Sequence, residues 1–195
     1  MTALLTPPPT AAPPAPAGAG LMTAAEFAAL PDDGRLLELI KGKVVELSRP
    51  KPRHGKVCSR IAYLIERWHE GRDAGHVMSN DTGVLLAEGP DTVVGPDVAF
   101  VSYERLPKDA DLDEYMPAPE LAVEVKSEHD SWPELIERAG AFLVAGSQVV
   151  VVADPFTATV RVFAADRTET LDGGETLRLP EALPGFEAPV AELFP

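Results

Sequence analysis

Four charged side chains lie where the surrounding pattern is apolar. Glu38 sits inside LLELI, Asp97 opens the run PDVAFVS, and Glu124 and Lys126 stand two residues apart in PELAVEVKS. Taking a charge out of water is costly unless a counter-charge, hydrogen bonds or a metal compensate it. Alternate residues of a strand share a face, about 6.5 to 7 Å apart. Glu124 and Lys126 are therefore expected on one face, with Val123 and Val125 on the other. If the strands adjoin, three carboxylates and one ammonium converge. Clustered carboxylates raise one another's pKa unless a cation is present. A hard divalent ion, Mg²⁺ or Mn²⁺, takes oxygen ligands and keeps several waters when one or two carboxylates hold it. Such a water can attack a phosphate, and an ammonium nearby stabilises the charge that develops. The chemistry implied is phosphodiester hydrolysis, with Asp97, Glu124 and Glu38 at the metal and Lys126 at the phosphate. The same spacing also suits a plain Glu124–Lys126 ion pair on a half-exposed strand.

The elements that must position these residues can be read from periodicity. Thr23 and Glu26 have capping-box spacing ahead of a short helix, which Pro31, Asp32, Asp33 and Gly34 stop. Two apolar runs flank Lys41-Gly42 and predict a β-hairpin, ended by Pro50 and Pro52. Val57, Cys58, Ile61, Leu64, Ile65 and Trp68 recur at helical spacing. Short strands follow between His76 and Ser102, then a polar, proline-marked excursion. A second long helix follows PELAVEVKS, with Ser131 as its cap, Pro133 early and Gly146 past its end. SQVVVVADP reads as a strand buried on both faces. ATVRVFAAD, TETLDGGETLRL and FEAPVAELF read as hairpins and a short terminal turn. The strand–helix–strand unit at 121–152 calls for a right-handed crossover and two parallel strands. The fold class is α/β of the mixed α+β kind, a central mixed sheet flanked by helices.

Composition bounds the rest. The 195 residues are 45% hydrophobic and 25% charged, enough for one cored domain. Residues 1–21, rich in proline and alanine and lacking Lys and Arg, are expected to form a disordered tail and a poor signal peptide, with the domain at 22–195. No apolar run nears the roughly 20 residues of a membrane helix. The single cysteine, Cys58, leaves no internal disulfide and no cysteine-based zinc site, and fits a reducing cytoplasm. The net charge of −14 argues against broad adhesion to nucleic acid or anionic membrane. The charge is uneven, however. Residues 31–70 hold nine of the 17 Lys and Arg against six acids, while residues 71–195 hold eight against 24. SRPKPRHGKVCSR, with Arg49, Lys51, Arg53, Lys56 and Arg60, is a patch able to steer a polyanion to one place, or a solubilising helix start.

The ordered series LLELIKGKVVELS, GPDVAFVS, PELAVEVKS, a helix, a Val-rich strand with DP, and a closing LPGFEAPVAELF resembles the bacterial Uma-type family of "putative restriction endonucleases", over residues 22–195. Each motif is short, and their combination carries the resemblance. It implies a restriction-endonuclease-like core of the PD-(D/E)-x-K superfamily. Asp97 and Glu124 resemble the metal-binding acids, Lys126 the motif lysine, and Glu38 the acid that completes the site. His54, in PRHGKV, falls where such proteins often place a histidine, to touch a phosphate or to anchor the helix. The sequence departs from the family in one respect. Many members have an apolar residue at the position of Lys126 and a lysine on the following helix, where this chain has Arg138, either a phosphate contact or a surface charge. Arg53 and Lys56 are further candidate phosphate contacts. The expectation is a Mg²⁺-dependent DNA endonuclease, with a homodimer as the assembly that would cut two strands. A nuclease-fold scaffold without activity and a metal-dependent hydrolase of a smaller substrate are the alternatives.

Overall fold

The computed structural model describes residues 20–195. The tail expected at 1–21 thus lies outside the described residues, save its last two positions. Thr23 caps α1 (Ala24–Ala28) with the reciprocal pair of bonds that its spacing to Glu26 predicts. β1 (Leu36–Ile40) and β2 (Lys43–Leu47) form the expected hairpin. Its turn residues, Lys41 and Gly42, have φ of 50° and 74°, the left-handed pair whose twist matches that of the flanking strands. α2 (Pro52–His69) starts on Pro52, in the first turn where a missing N–H leaves nothing unsatisfied.

The chain continues through β3 (Gly75–Ser79), β4 (Val84–Ala87), β5 (Thr92–Val94), β6 (Val98–Ser102), β7 (Leu121–Val125), α3 (Trp132–Val144), β8 (Val149–Asp154), β9 (Thr159–Ala164), β10 (Thr168–Leu171), β11 (Thr176–Arg178) and β12 (Glu187–Pro189). Six strands form the main sheet, in the order β10-β9-β8-β7-β6-β3. It is mixed, because β7 and β8 run parallel across α3 as the crossover requires, while β6 and β7 run antiparallel. All six residues of β8 are buried, as its uninterrupted valines predict.

Two features differ from the sequence reading. The strands do not share one sheet: β2-β1-β5-β4 make a second, four-stranded sheet. Gly95, Pro96 and Asp97 carry the chain from β5 of that sheet into β6 of the main one. TETLDGGETLRL is also not a hairpin, since β10 pairs with β9 and β11 with β12. Leu171 and Leu177 are both buried, and each strand finds its apolar neighbours on a different partner.

Alternation assigns the faces. Leu121, Val123 and Val125 join the core cluster of α2 residues Val57, Ile61, Leu64 and Ile65. Ala122 joins the cluster of α3 residues Ala139 and Phe142. Glu124 has the parity of Ala122 and so belongs to the α3 side. Burial of each such Val, Leu or Phe contributes about 1.5–3 kcal/mol, so the ends of β6 and β7 are held from both faces.

Candidate active site

Two of the sequence-selected acids, Glu38 and Glu124, meet around the guanidinium of Arg138. Arg138, on the inner face of α3, donates from Nη1 and Nη2 to the two carboxylate oxygens of Glu38 at 2.9 and 2.7 Å. Its Nε donates to Glu124 Oε1 at 2.7 Å, and Nη2 also reaches the Gly95 carbonyl at 2.8 Å. Ser131 and Glu134 form a capping box at the start of α3 that fixes the helix one turn upstream. Glu38 and Glu124 are both buried, and Glu38 also accepts from the Gly95 N–H at 3.1 Å. β1 is not a sheet neighbour of β7, so Glu38 reaches the site through Arg138 and Gly95 rather than across a ladder.

Asp97 stands one step before β6. The last pairs of the ladder, Val98 with Val123 onward, put it opposite Glu124. Its Oδ2 accepts from the Val125 N–H at 2.6 Å, and its Oδ1 lies 3.2 Å from His54 Nε2. His54 Nδ1 is 3.3 Å from Cys58 Sγ, one turn further along α2. Asp97, Glu124, His54 and Arg138 line one cleft of about 180 Å³.

Asp81 lines the same cleft and was not singled out by the sequence. It sits between β3 and β4, where Asn80 and Asp81 both have positive φ, 65° and 57°. A non-glycine pair in this conformation is uncommon and marks a constrained turn. The N-D dipeptide was the only signal available. Asp81 packs against Gly95 so closely that a Cβ on Gly95 would lie 2.4 Å from the Asp81 carbonyl oxygen.

Lys126 falls elsewhere. β7 ends at Val125, so strand alternation no longer governs the next residue. The Lys126 ammonium bonds the Ser127 carbonyl at 3.1 Å and lies 5.2 Å from the Phe156 ring centroid, lining an adjoining cleft with Arg53. Arg53 is on the same ring, also at 5.2 Å. Lys56 is further out on α2 and bonds the Pro195 carbonyl at 3.2 Å.

The charges in the cleft do not balance. Burial pushes the Glu124 carboxyl up to about 8, with Asp97 and Glu38 adding repulsion against the pull of Arg138. Burial and the Asp97 charge likewise raise Asp81. Burial weighs against a charged His54, yet Asp97, with Asp81 and Asp130, holds its pKa above the ordinary value. Burial weighs against the Arg138 charge as well, but Glu124 and Glu38 hold it firmly protonated. Burial, and then Asp97, push the Cys58 thiol far up, so it is no thiolate nucleophile.

Glu38, Asp81, Asp97 and Glu124 thus face one permanent cation and one histidine. Among the described residues, Glu124 Oε2 and the Asp81 carboxylate accept no hydrogen bond. Free hard oxygens and surplus negative charge fit a divalent cation. His54, Cys58 and Asp97 form a second possible ligand set, with donor atoms within 4.8 Å of one another. This is a mixed set with a single thiol, distinct from the cysteine-based zinc site that one cysteine excludes. Cys58 is a poor member of it while its thiol stays protonated.

A family model described as "Uma2: Putative restriction endonuclease" matches residues 24–191. Among solved structures, the chain is similar to "a putative nuclease belonging to DUF820" from Anabaena variabilis, with a TM-score of 0.77 and 21% identity over 89% of this chain and 97% of that one. No curated protein matches. The structural likeness bears out the restriction-endonuclease-like fold. Among the described residues no helix is long and apolar enough to cross a membrane.

Proposed function

The chain belongs to the Uma2 family, and on that premise we propose that it is a metal-dependent DNA endonuclease hydrolysing phosphodiester bonds. One arrangement carries the reading: Asp97 and Glu124, opposite one another at the sheet's end, line a cleft whose carboxylates outnumber its cations. In this reading Asp97 and Glu124 would hold Mg²⁺ or Mn²⁺ with Asp81 beside them, and a bound ion would supply charge stabilisation and a water of lowered pKa.

The chain's own residues do the positioning. Glu38 would reach the ion only by giving up a bond to Arg138, so its main work is to hold the guanidinium. Arg138 in turn fixes Glu124 through Oε1. Its N–H groups are committed to Glu38, Glu124 and Gly95, which leaves little for a phosphate. His54 orients Asp97 and, when protonated, offers positive charge to an incoming phosphate. Arg53 and Lys126 in the adjoining cleft take the backbone, with Lys56 outside them. The domain from residue 22 onward acts as one unit. A homodimer would supply the two clefts that cutting both strands of a duplex calls for, and a reducing cytoplasm would keep Cys58 free.

One observation favours a second reading. Arg138 already neutralises two of the acids, as it would in a nuclease-fold scaffold without metal chemistry. Supercoiled plasmid separates the two. The wild type is expected to nick or linearise it with Mg²⁺ or Mn²⁺ and to stop on chelation, while Asp97→Ala and Glu124→Ala leave it intact. Plasmid and single-stranded circular DNA both left whole by the wild type in both metals, or cut equally fast by the variants, overturn the nuclease reading.

A further inference from the structure

We infer that the cleft adjoining the carboxylates is a subsite for one unpaired nucleotide, so that the DNA taken by this protein is single-stranded next to the bond it cuts. This deepens the nuclease reading and rests on it for the identity of the strand.

The cleft has a volume of about 230 Å³ and is lined by Ser48, Arg49, Lys51, Arg53, Lys126 and Phe156, among others. Phe156 stands in the turn between β8 and β9, fixed by its N–H donating to the buried Asp154 at 2.8 Å. Despite that fixed backbone the residue is 48% exposed. Other large apolar residues of this chain are equally exposed; what sets Phe156 apart is its place on a cleft wall between two cations. The Arg53 guanidinium and the Lys126 ammonium flank it, each 5.2 Å from its centroid.

The charge around the ring is unusual. Lys51 pairs with Glu128, which also meets His129. Arg49, Arg53 and Lys126 have no carboxylate partner among the described residues. In a chain of net charge −14, two cations without a carboxylate partner against one exposed ring, with Arg49 on the same cleft wall and bonded to the Gly34 carbonyl, reverse the prevailing sign. Cations along a groove with an aromatic platform are the elements that bind a single strand: the cations take phosphates, and the ring takes a base face.

Size and place narrow the ligand. At about 230 Å³ the cleft falls below the roughly 300–1,000 Å³ of pockets that enclose drug-sized molecules, so it takes one base with its phosphate lying along the open rim, not several nucleotides. Ser48, Pro50, His54 and Ser127 line both this cleft and the carboxylate cleft, so the nucleotide held here neighbours the bond presented to Asp97 and Glu124. Inside a duplex both faces of a base are covered by its neighbours. A base inside a duplex therefore cannot lie on Phe156, whereas an unpaired one can.

The test uses the full chain in chelator, at one fixed salt concentration, with a single-stranded oligonucleotide carrying 2-aminopurine and the same sequence as a blunt duplex. The wild type is expected to bind the single strand more tightly and to quench the probe. Phe156→Ala is expected to raise Kd about 5- to 100-fold and abolish the quench, while Phe156→Trp keeps both. Lys126→Gln is expected to reduce the slope of log affinity against log salt by about one phosphate contact, a readout independent of the ring. Unchanged Kd and quench in Phe156→Ala, no binding of the single strand, or preference for the blunt duplex overturns the subsite. Binding through Phe156 without Mg²⁺-dependent cleavage sinks the hydrolysis and leaves the subsite. Cleavage and binding both indifferent to Phe156→Ala sink the subsite and leave the nuclease.

Discussion

Arg138 grips Glu38 through a two-bond fork, 2.9 and 2.7 Å, although 100 residues separate them in the chain. The same guanidinium holds Glu124, so one α3 side chain ties the second sheet to the main sheet at the cleft. Planar bidentate geometry is a property of arginine that lysine cannot reproduce.

Removing that guanidinium leaves two buried carboxylates uncompensated. Arg138→Ala is expected to lower stability by about 3–5 kcal/mol, and Arg138→Lys to recover only part of it. Denaturant unfolding measures both. A loss below about 1 kcal/mol for the alanine variant would show that water reaches Glu38 and Glu124 freely.

Asp81 offers a test of the site that touches no residue singled out by the sequence. Its carboxylate has no hydrogen-bond donor among the described residues and lies in the cleft with Asp97. Asp81→Asn is expected to reduce metal affinity, and with it cleavage, by about 10- to 100-fold, with little change in melting temperature. Metal titration by calorimetry reads the first effect and plasmid cleavage the second. Wild-type affinity in the variant would place Asp81 outside the metal's reach.

Gly95 holds Asp81 and Glu38 together: a Cβ there would meet the Asp81 backbone at 2.4 to 2.7 Å, and its N–H bonds Glu38. Backbone cannot step aside as a flexible side chain does. Gly95→Ala is expected to cost about 1–3 kcal/mol and to weaken metal binding by moving Asp81. Unfolding and metal titration of the same variant check the two effects together, and a stable variant with intact metal binding would contradict the packing described.

The pH dependence of stability has a definite sign. Burial raises Glu124 to about 8, and Asp97 holds His54 above its ordinary value. Both groups bind protons more readily in the folded than in the unfolded chain. Their contribution is fully present below the unfolded values, 4.5 for Glu124 and 6.5 for His54, and is lost as pH rises through the folded ones. Metal-free protein is therefore expected to melt at a lower temperature at about pH 8.5 than at about pH 6. Glu124→Gln should flatten that slope, though it starts less stable. A melting temperature that climbs over this range, or a slope unchanged in the variant, speaks against a strained carboxyl at Glu124.

Much of this was legible in the sequence, for physical reasons. Thr23, Ser131 and the Lys41-Gly42 turn act through neighbours a few residues away, so their spacing is enough to read them. Asp97 and Glu124 were visible because an acid inside an apolar run needs an explanation wherever it occurs. Lys126 was placed on the face of Glu124 by alternation, which holds only while the strand continues, and β7 stops at Val125. The link from Glu38 to the cleft was not legible, because it passes between two sheets through a helix residue 100 positions away. Asp81 was missed because its place depends on a left-handed turn and the close approach of Gly95, and neither leaves a periodic trace.

The most direct measurement is a crystal soaked in Mn²⁺ and read by its anomalous signal. A peak is expected between Asp97 and Glu124, with both carboxylates in its coordination shell and Asp81 beside it. Mg²⁺ is expected to take the same place at about 2.0–2.1 Å from its oxygens. A peak on His54 and Cys58 away from Glu124, or no peak with Arg138 still seated between Glu38 and Glu124, would contradict a carboxylate-held catalytic ion.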